Sequence, residues 1–421
     1  MENNQMITPI DRIHPPKGNR HMNPSLPKIE PEPSTQLRNA VSRGTHPAIV
    51  LVMLIGVLVF IGPAVFGQES ALFRGHTLRG IAVAMRKNCS VEEYEKMRAW
   101  GGNSLRMVFD AERDKFIEIK KGSMRLRPEG FAAMKTALDR AHEAHLVVVL
   151  GMMKYPWRDK PGGLLWSDFK YWNDYLTLWT ELAKQFGKHP AVVGYDVMNE
   201  ADWVLGSSEQ SKLQSIIAVG KDWTPPIMWN NTPRDYQLLM KQVTQTIRAV
   251  DNHTTIIIQG AGCYGKVYNL RWLTPTGDSN TIYSFHMYQP VEFTHYKKTT
   301  ALANEEHYAQ QSPGIPEYPS KTFGASDVTA YLSIADDFAK RYGVSLYLGE
   351  FAPCVYNDGH GSGRWLTDVL TYAEAHHWHW AYWSYSVPDR SPEYGADNLH
   401  EPTTTPTERM LVLKQFWKNN L

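Results

Sequence analysis

Between Leu78 and the end of the chain, eight short apolar runs alternate with segments of helical length, and this alternation limits the fold more than any other feature. The runs are Leu78 to Ala84, Asn103 to Phe109, Leu146 to Gly151, Val192 to Glu200, Thr254 to Gln259, Thr281 to His286, Val344 to Glu350 and His379 to Ser384. Helices are expected over Val91 to Trp100, Pro128 to His145, Ser167 to Phe186, Arg234 to Val250, Ser326 to Tyr342 and Arg364 to His376, with a last one from Thr405 to Asn419. In the second of these, Phe131, Met134, Leu138 and Ala141 recur at helical spacing and mark a buried face. Strands that alternate with helices pack in parallel. Eight such units over about 340 residues define an α/β chain with the pattern of a (β/α)8 TIM barrel.

Two of the eight runs end on a carboxylate. Val192-Val-Gly-Tyr-Asp-Val-Met-Asn-Glu200 reads as a buried strand that delivers Asn199 and Glu200 to the C-terminal mouth, where barrel enzymes keep their chemistry. Val344-Ser-Leu-Tyr-Leu-Gly-Glu350 ends in the same way. Two glutamates from distant strands at one rim suit the acid and nucleophile of a retaining glycosidase, whose carboxyl groups lie about 5 to 5.5 Å apart.

Composition narrows the partner. The 421 residues carry a net charge of +1 and no run of Lys and Arg longer than two, which argues against a nucleic-acid partner. An uncharged glycan fits better, because 12% of the residues are aromatic and Trp and Tyr faces stack on sugar rings. Cys89, Cys263 and Cys354 follow expected strands, and an odd number implies no disulfide framework. The histidines His376, His377 and His379 lack clustered carboxylates, so neither a metal nor a cofactor is expected.

The amino-terminal part differs. Residues 1–46 are rich in Pro, Asn and Ser without apolar periodicity and read as a disordered tail. Pro47 to Gly67 holds no charged residue over 21 positions, enough for a transmembrane signal anchor across a hydrocarbon layer of about 30 Å. Arg12, Lys17, Arg20, Lys28, Arg38 and Arg43 favour a cytoplasmic tail, which places the barrel outside the cytoplasm. Secretion after cleavage near Val65-Phe-Gly67 is the alternative. Residues 68–77 form a linker, and 78–421 the barrel domain.

Extra length sits in loops 201–233 and 287–325, which leave the expected catalytic face and carry Trp203, Trp223, Trp229, Tyr288, Phe293 and Tyr296 as expected substrate walls. The motifs Tyr195-Asp-Val-Met-Asn-Glu200, Tyr283-Ser-Phe-His-Met-Tyr-Gln-Pro290, Leu348-Gly-Glu350 and Trp380-Ala-Tyr-Trp383 stand in order at four strand ends. In these the chain resembles the cellulase-like glycoside hydrolases of family 5.

The resemblance implies Glu200 as acid/base, Glu350 as nucleophile and Asn199 as a ligand of the sugar 2-hydroxyl. It further implies Arg106 and Tyr288 beside Glu350, His286 framing the acid, and Trp383 under the sugar. On this reading Arg106 favours the ionised form of Glu350, and a facing negative charge raises Glu200. Many family members end the third strand with a histidine, whereas this chain has Gly151-Met-Met-Lys154 there. Lys154 or Trp157 is expected to fill that space. The resulting expectation is a membrane-anchored retaining hydrolase of a β-linked polysaccharide. A transglycosylase with the same residues, or a non-catalytic glycan-binding barrel in polysaccharide export or assembly, are the alternatives.

Overall fold

In the computed structural model, residues 76–158, 163–201, 229–262, 265–295, 314–385 and 406–420 are described. The eight expected runs are all strands. They are β1 (Arg79–Ala84), β2 (Ser104–Asp110), β5 (Val147–Lys154), β6 (Val192–Asp196), β7 (Thr255–Gln259), β8 (Thr281–Met287), β9 (Leu346–Phe351) and β10 (His379–Tyr385). Every neighbouring pair is parallel, and β1 pairs with both β2 and β10, so the sheet closes on itself. The remaining two, β3 (Ile117–Lys120) and β4 (Ser123–Leu126), form a small antiparallel hairpin.

The helices α1 (Val91–Ala99), α2 (Pro128–Glu143), α3 (Phe169–Phe186), α4 (Tyr236–Arg248), α5 (Ala325–Tyr342), α6 (Ser362–Ala375) and α7 (Glu408–Trp417) fall within a few residues of the expected spans. Local chemistry sets their starts. The Ser90 hydroxyl accepts from Glu93 N while the Glu93 carboxylate accepts from Ser90 N, a reciprocal cap on α1. The side chains of Asp168, Asp235 and Thr407 each accept a first-turn N–H of α3, α4 and α7, and Pro128 opens α2. Gly343, in the left-handed region, ends α5.

Side-chain alternation sorts the core into two layers. Val149, Val193, Ile257, Ile282, Tyr347 and Ala381 meet inside the barrel, while Leu105, Met107, Val148, Leu150, Leu346 and Leu348 pack outward with the helices. Arg106, between two outward residues of β2, therefore faces inward and is fully buried.

Two irregularities in the ladder decide what else faces inward. On β6, Val192 and Tyr195 both join the outer layer, and the register with β5 shifts by one between them. The shift turns Asp196 toward Arg106. On β9, Leu348 and Phe351 both join the outer layer, and the register with β8 skips Gly349. That skip brings Glu350 opposite His286. Bulges of this kind re-aim side chains near active sites.

One expectation needs correction: the fourth strand stops at Asp196 and does not run to Glu200. The segment that follows is pinned to its neighbours. Val197 N donates to Ile257 O (3.1 Å), Asn199 N to Met152 O (3.0 Å), and the Val197 carbonyl accepts from Tyr175 Oη (2.8 Å) and Trp179 Nε1 (3.0 Å). A segment with its polar groups so bonded outside a ladder can be fixed as firmly as a strand. Residues 1–75, including the expected tail and anchor, lie outside the described residues. Among the described residues no helix is long and apolar enough to cross a membrane.

Candidate active site

The site is built around Arg106. From inside the barrel its Nε donates to Asp196 Oδ2 (2.8 Å), which also lies 2.7 Å from Nη2 in an ion pair, while Nη1 donates to Glu350 Oε1 (2.7 Å) and Nη2 to Asn199 Oδ1 (2.7 Å). One planar cation thus sets the positions of three acceptors, Asp196 at the end of β6, Asn199 just past it and Glu350 on β9. Tyr288, just past β8, donates its hydroxyl to the other oxygen of Glu350 at 3.0 Å. Both oxygens of Glu350 are held.

Glu200 has different partners. Its Oε1 lies 2.8 Å from His286 Nδ1, whose distance to Glu350 Oε2 is 3.6 Å. One oxygen of Glu200, one of Glu350 and a nitrogen of His286 all lie within 4.8 Å of one another, so the two glutamates face each other across a short gap. The Glu200 side chain is 21% exposed against 6% for Glu350.

The protonation balance reverses the expected order. Burial pushes Glu350 above the ordinary carboxylate value; His286 and Arg106 oppose this, the charge of Glu200 adds to it, and the net direction is up. Burial also acts on Glu200, but the hydrogen bond and charge of His286, helped by the charges of Arg158 and Arg106, outweigh it and bring Glu200 below the ordinary value. Sequence reasoning set only the two carboxylates and Arg106 against each other. The resemblance placed His286 beside the acid, but its charge and hydrogen bond were not weighed against burial.

Asn199 is oriented at both ends. Its oxygen accepts from Arg106, and its Nδ2 lies 3.1 Å from Met153 Sδ. A methionine at the end of β5 therefore touches the amide in the region where the resemblance leads one to expect a histidine. Trp383 is half-buried near the C-terminal end of β10, packed against the core.

Trp157 is not brought to this cluster. It is 4% exposed, packs on Tyr171 with ring centroids 4.6 Å apart, and donates its indole N–H to Asp174 on α3 at 2.7 Å. Its place in the helix layer corrects the expectation that it lines the sugar site. Phe293 is likewise buried, against Tyr318, and Trp229 is 7% exposed with the Arg234 guanidinium over its ring, so neither forms an open wall. Trp203, Trp223 and Tyr296 lie outside the described residues, as does Cys263. Cys89 and Cys354 are buried, and burial raises the Cys89 thiol to about 12, which makes it inert at neutral pH.

Three residues of the site were not expected. Asp196 is the buried counter-ion of Arg106, Arg158 adds positive charge near Glu200, and Gln259 bonds the Glu200 backbone. The signal for Asp196 and Gln259 was present, since each is a polar residue closing an otherwise apolar barrel strand.

A closed parallel barrel with two facing glutamates at its C-terminal rim is the construction of the two-carboxylate carbohydrate hydrolases. Residues 70–388 match the model of the family Cellulase (glycosyl hydrolase family 5), and the chain belongs to that family. It is a glycoside hydrolase.

Among curated relatives, Endoglucanase C of Acetivibrio thermocellus is 23% identical over 319 residues, covering 71% of this chain and 84% of that protein. Cellodextrinase A of Ruminococcus flavefaciens is 19% identical over 282 residues, covering 65% of this chain and 71% of that one. The fold is also that of a hyperthermophilic endo-β-1,4-glucanase solved with substrate, with a TM-score of 0.61 at 20% identity over 82% of this chain and 99% of the other.

Proposed function

We propose that this hydrolase cleaves internal bonds of a β-linked glucan by double displacement, with Glu350 as nucleophile and Glu200 as acid/base. The observation that carries the reading is the short gap between two carboxylates with different partners. A gap of about 5 Å admits a sugar carbon but no water between it and the attacking oxygen, the condition for retention rather than inversion.

The partners suit the two roles. Arg106 and Tyr288 hold both oxygens of Glu350 and fix its aim at the anomeric carbon. The Glu350 oxygen forms a bond to that carbon as the glycosidic C–O bond breaks, and the proton of Glu200 passes to the leaving oxygen. In the second step water gives its proton to Glu200 and its oxygen to the anomeric carbon, and the bond to Glu350 breaks. Asn199, with its oxygen committed to Arg106 and one amide N–H to Met153 Sδ, is left with its other N–H for the 2-hydroxyl.

Glu200 and Glu350 titrate as one unit at this separation. The reactive form carries one proton, on Glu200, with Glu350 ionised. Both limbs of kcat/KM therefore report the pair and not either residue alone. In the second step, when Glu350 is a neutral ester, the ionised Glu200 acts as the base.

The names of the relatives, endoglucanase and cellodextrinase, support a β-glucan as substrate. The uncharged segment 47–67 supports an enzyme anchored with its barrel outside the cytoplasm. The test is the full-length chain on soluble β-glucan, mannan and xylan, beside the variants Glu350→Gln and Glu200→Ala. Expected are turnover of β-glucan, loss of it in Glu350→Gln, and retained glycosylation from an activated aryl β-glycoside in Glu200→Ala. Unaltered activity in both variants would overturn the assignment.

A further inference from the structure

We infer that Gln259, the last residue of β7, is a positioning residue for the acid/base, acting on the Glu200 main chain; the inference rests on the role proposed for Glu200. Glu200 has φ of +41°, the left-handed region, which is unfavourable for a residue with a Cβ. Something must hold it there. The Glu200 N–H donates to Gln259 Oε1 at 2.6 Å, within a side chain that is 2% exposed. Because an N–H must face an acceptor, this contact also fixes which end of the amide is oxygen.

The rest of Gln259 is secured from other directions. Its own carbonyl accepts from the Tyr236 hydroxyl of α4, which anchors the strand end. Its Nε2 is buried and has no hydrogen-bond partner among the described residues. A Cβ placed on Gly265 would lie 2.8 Å from that nitrogen and 2.8 Å from His286 Nδ1. The amide and the imidazole therefore flank the same bare glycine, at φ of +64°, which leaves no room for a larger residue. Glu200 is held at its main chain by Gln259 and at its carboxyl by His286. Without the first contact the backbone can relax out of the left-handed region, and the carboxyl moves away from the leaving oxygen. Asn199 and Glu350, fixed by Arg106, stay in place.

A positioning role predicts a loss that depends on how much acid assistance the substrate needs. The experiment measures kcat/KM of the full-length chain on aryl β-cellobiosides whose phenols span a wide range of pKa, for the parent, Gln259→Leu, Gln259→Glu and Glu200→Ala. Gln259→Leu should lose at most a few-fold on a dinitrophenyl glycoside and about 100-fold on the poorest leaving groups, the scale of a misplaced reacting group. Gln259→Glu retains an acceptor for the N–H and should recover most of that loss. Its added negative charge beside His286 and Glu200 should move the alkaline limb of the pH profile to higher pH.

A uniform loss across the series in Gln259→Leu, or an unmoved alkaline limb in Gln259→Glu, would overturn the inference. Should Gln259→Leu not fold, the limb in Gln259→Glu decides alone. Glu200→Ala separates the two levels. If it shows no dependence on the leaving group, the acid/base assignment itself fails; if it does and Gln259→Leu does not, only the inference about Gln259 fails.

Discussion

Replacing Arg106 by methionine removes a cation that is fully buried and leaves Asp196 and Glu350, 1% and 5% exposed, without it. Taking one partner from a buried ion pair costs about 3 to 5 kcal/mol, because the remaining charge has neither solvent nor counter-ion. For a domain of this size that corresponds to a fall in Tm of roughly 6 to 10 °C at neutral pH. The sign of the pH dependence follows from Glu350. Burial already raises it against the pull of Arg106, so the variant raises it further.

A carboxyl whose folded value exceeds its unfolded one stabilises the fold below the unfolded value, and this is lost as pH rises through the folded value. The Tm deficit of Arg106→Met should therefore be largest near pH 7 and shrink toward pH 5. Activity should fall for the same reason, since a hydrogen bond to a charged group contributes about 1.5 to 3 kcal/mol, or roughly 10- to 150-fold in kcat/KM. Thermal melts at the two pH values and rates on an aryl β-glycoside are the assays. A deficit that is equal at both, or larger at pH 5, would show that Arg106 acts by packing and refute the electrostatic account.

Two further outcomes follow. His286→Ala removes the group that brings Glu200 down, so Glu200 should keep its proton to higher pH and the alkaline limb of kcat/KM should move up; an unmoved limb would contradict the 2.8 Å contact as its cause. Trp157→Phe loses the bond to Asp174 and should cost about 1 to 2 kcal/mol of stability with KM for glucan unchanged; a raised KM at parental Tm would restore Trp157 to the sugar site.

The barrel was legible because its strands are apolar, its helices periodic, and their alternation admits few topologies. Glu200 and Glu350 were legible as polar ends of such runs, and Arg106, Asn199, His286 and Tyr288 through the resemblance of their motifs. The hairpin β3–β4 could have been read, since Ile117-Glu-Ile-Lys120 alternates and Lys121-Gly122, both at positive φ, forms the turn. Other features depend on contacts that no spacing encodes. The direction of the Glu200 shift needs the His286 bond, the place of Trp157 needs Asp174 on α3, and the facing of Asp196 and Glu350 needs two register shifts. Gln259 is visible in the sequence only as the last residue of a strand; its use depends on a left-handed Glu200 that folding alone produces.

The most direct test of the two-glutamate account is to trap its covalent intermediate. The full-length chain, incubated with a dinitrophenyl 2-deoxy-2-fluoro-β-cellobioside and digested for peptide mass spectrometry, should carry one glycosyl group, on the peptide containing Glu350. It should carry none in Glu350→Gln. A parent chain that turns over the glycoside yet carries no adduct, or carries it on another residue, would contradict the assignment of Glu350 as the nucleophile.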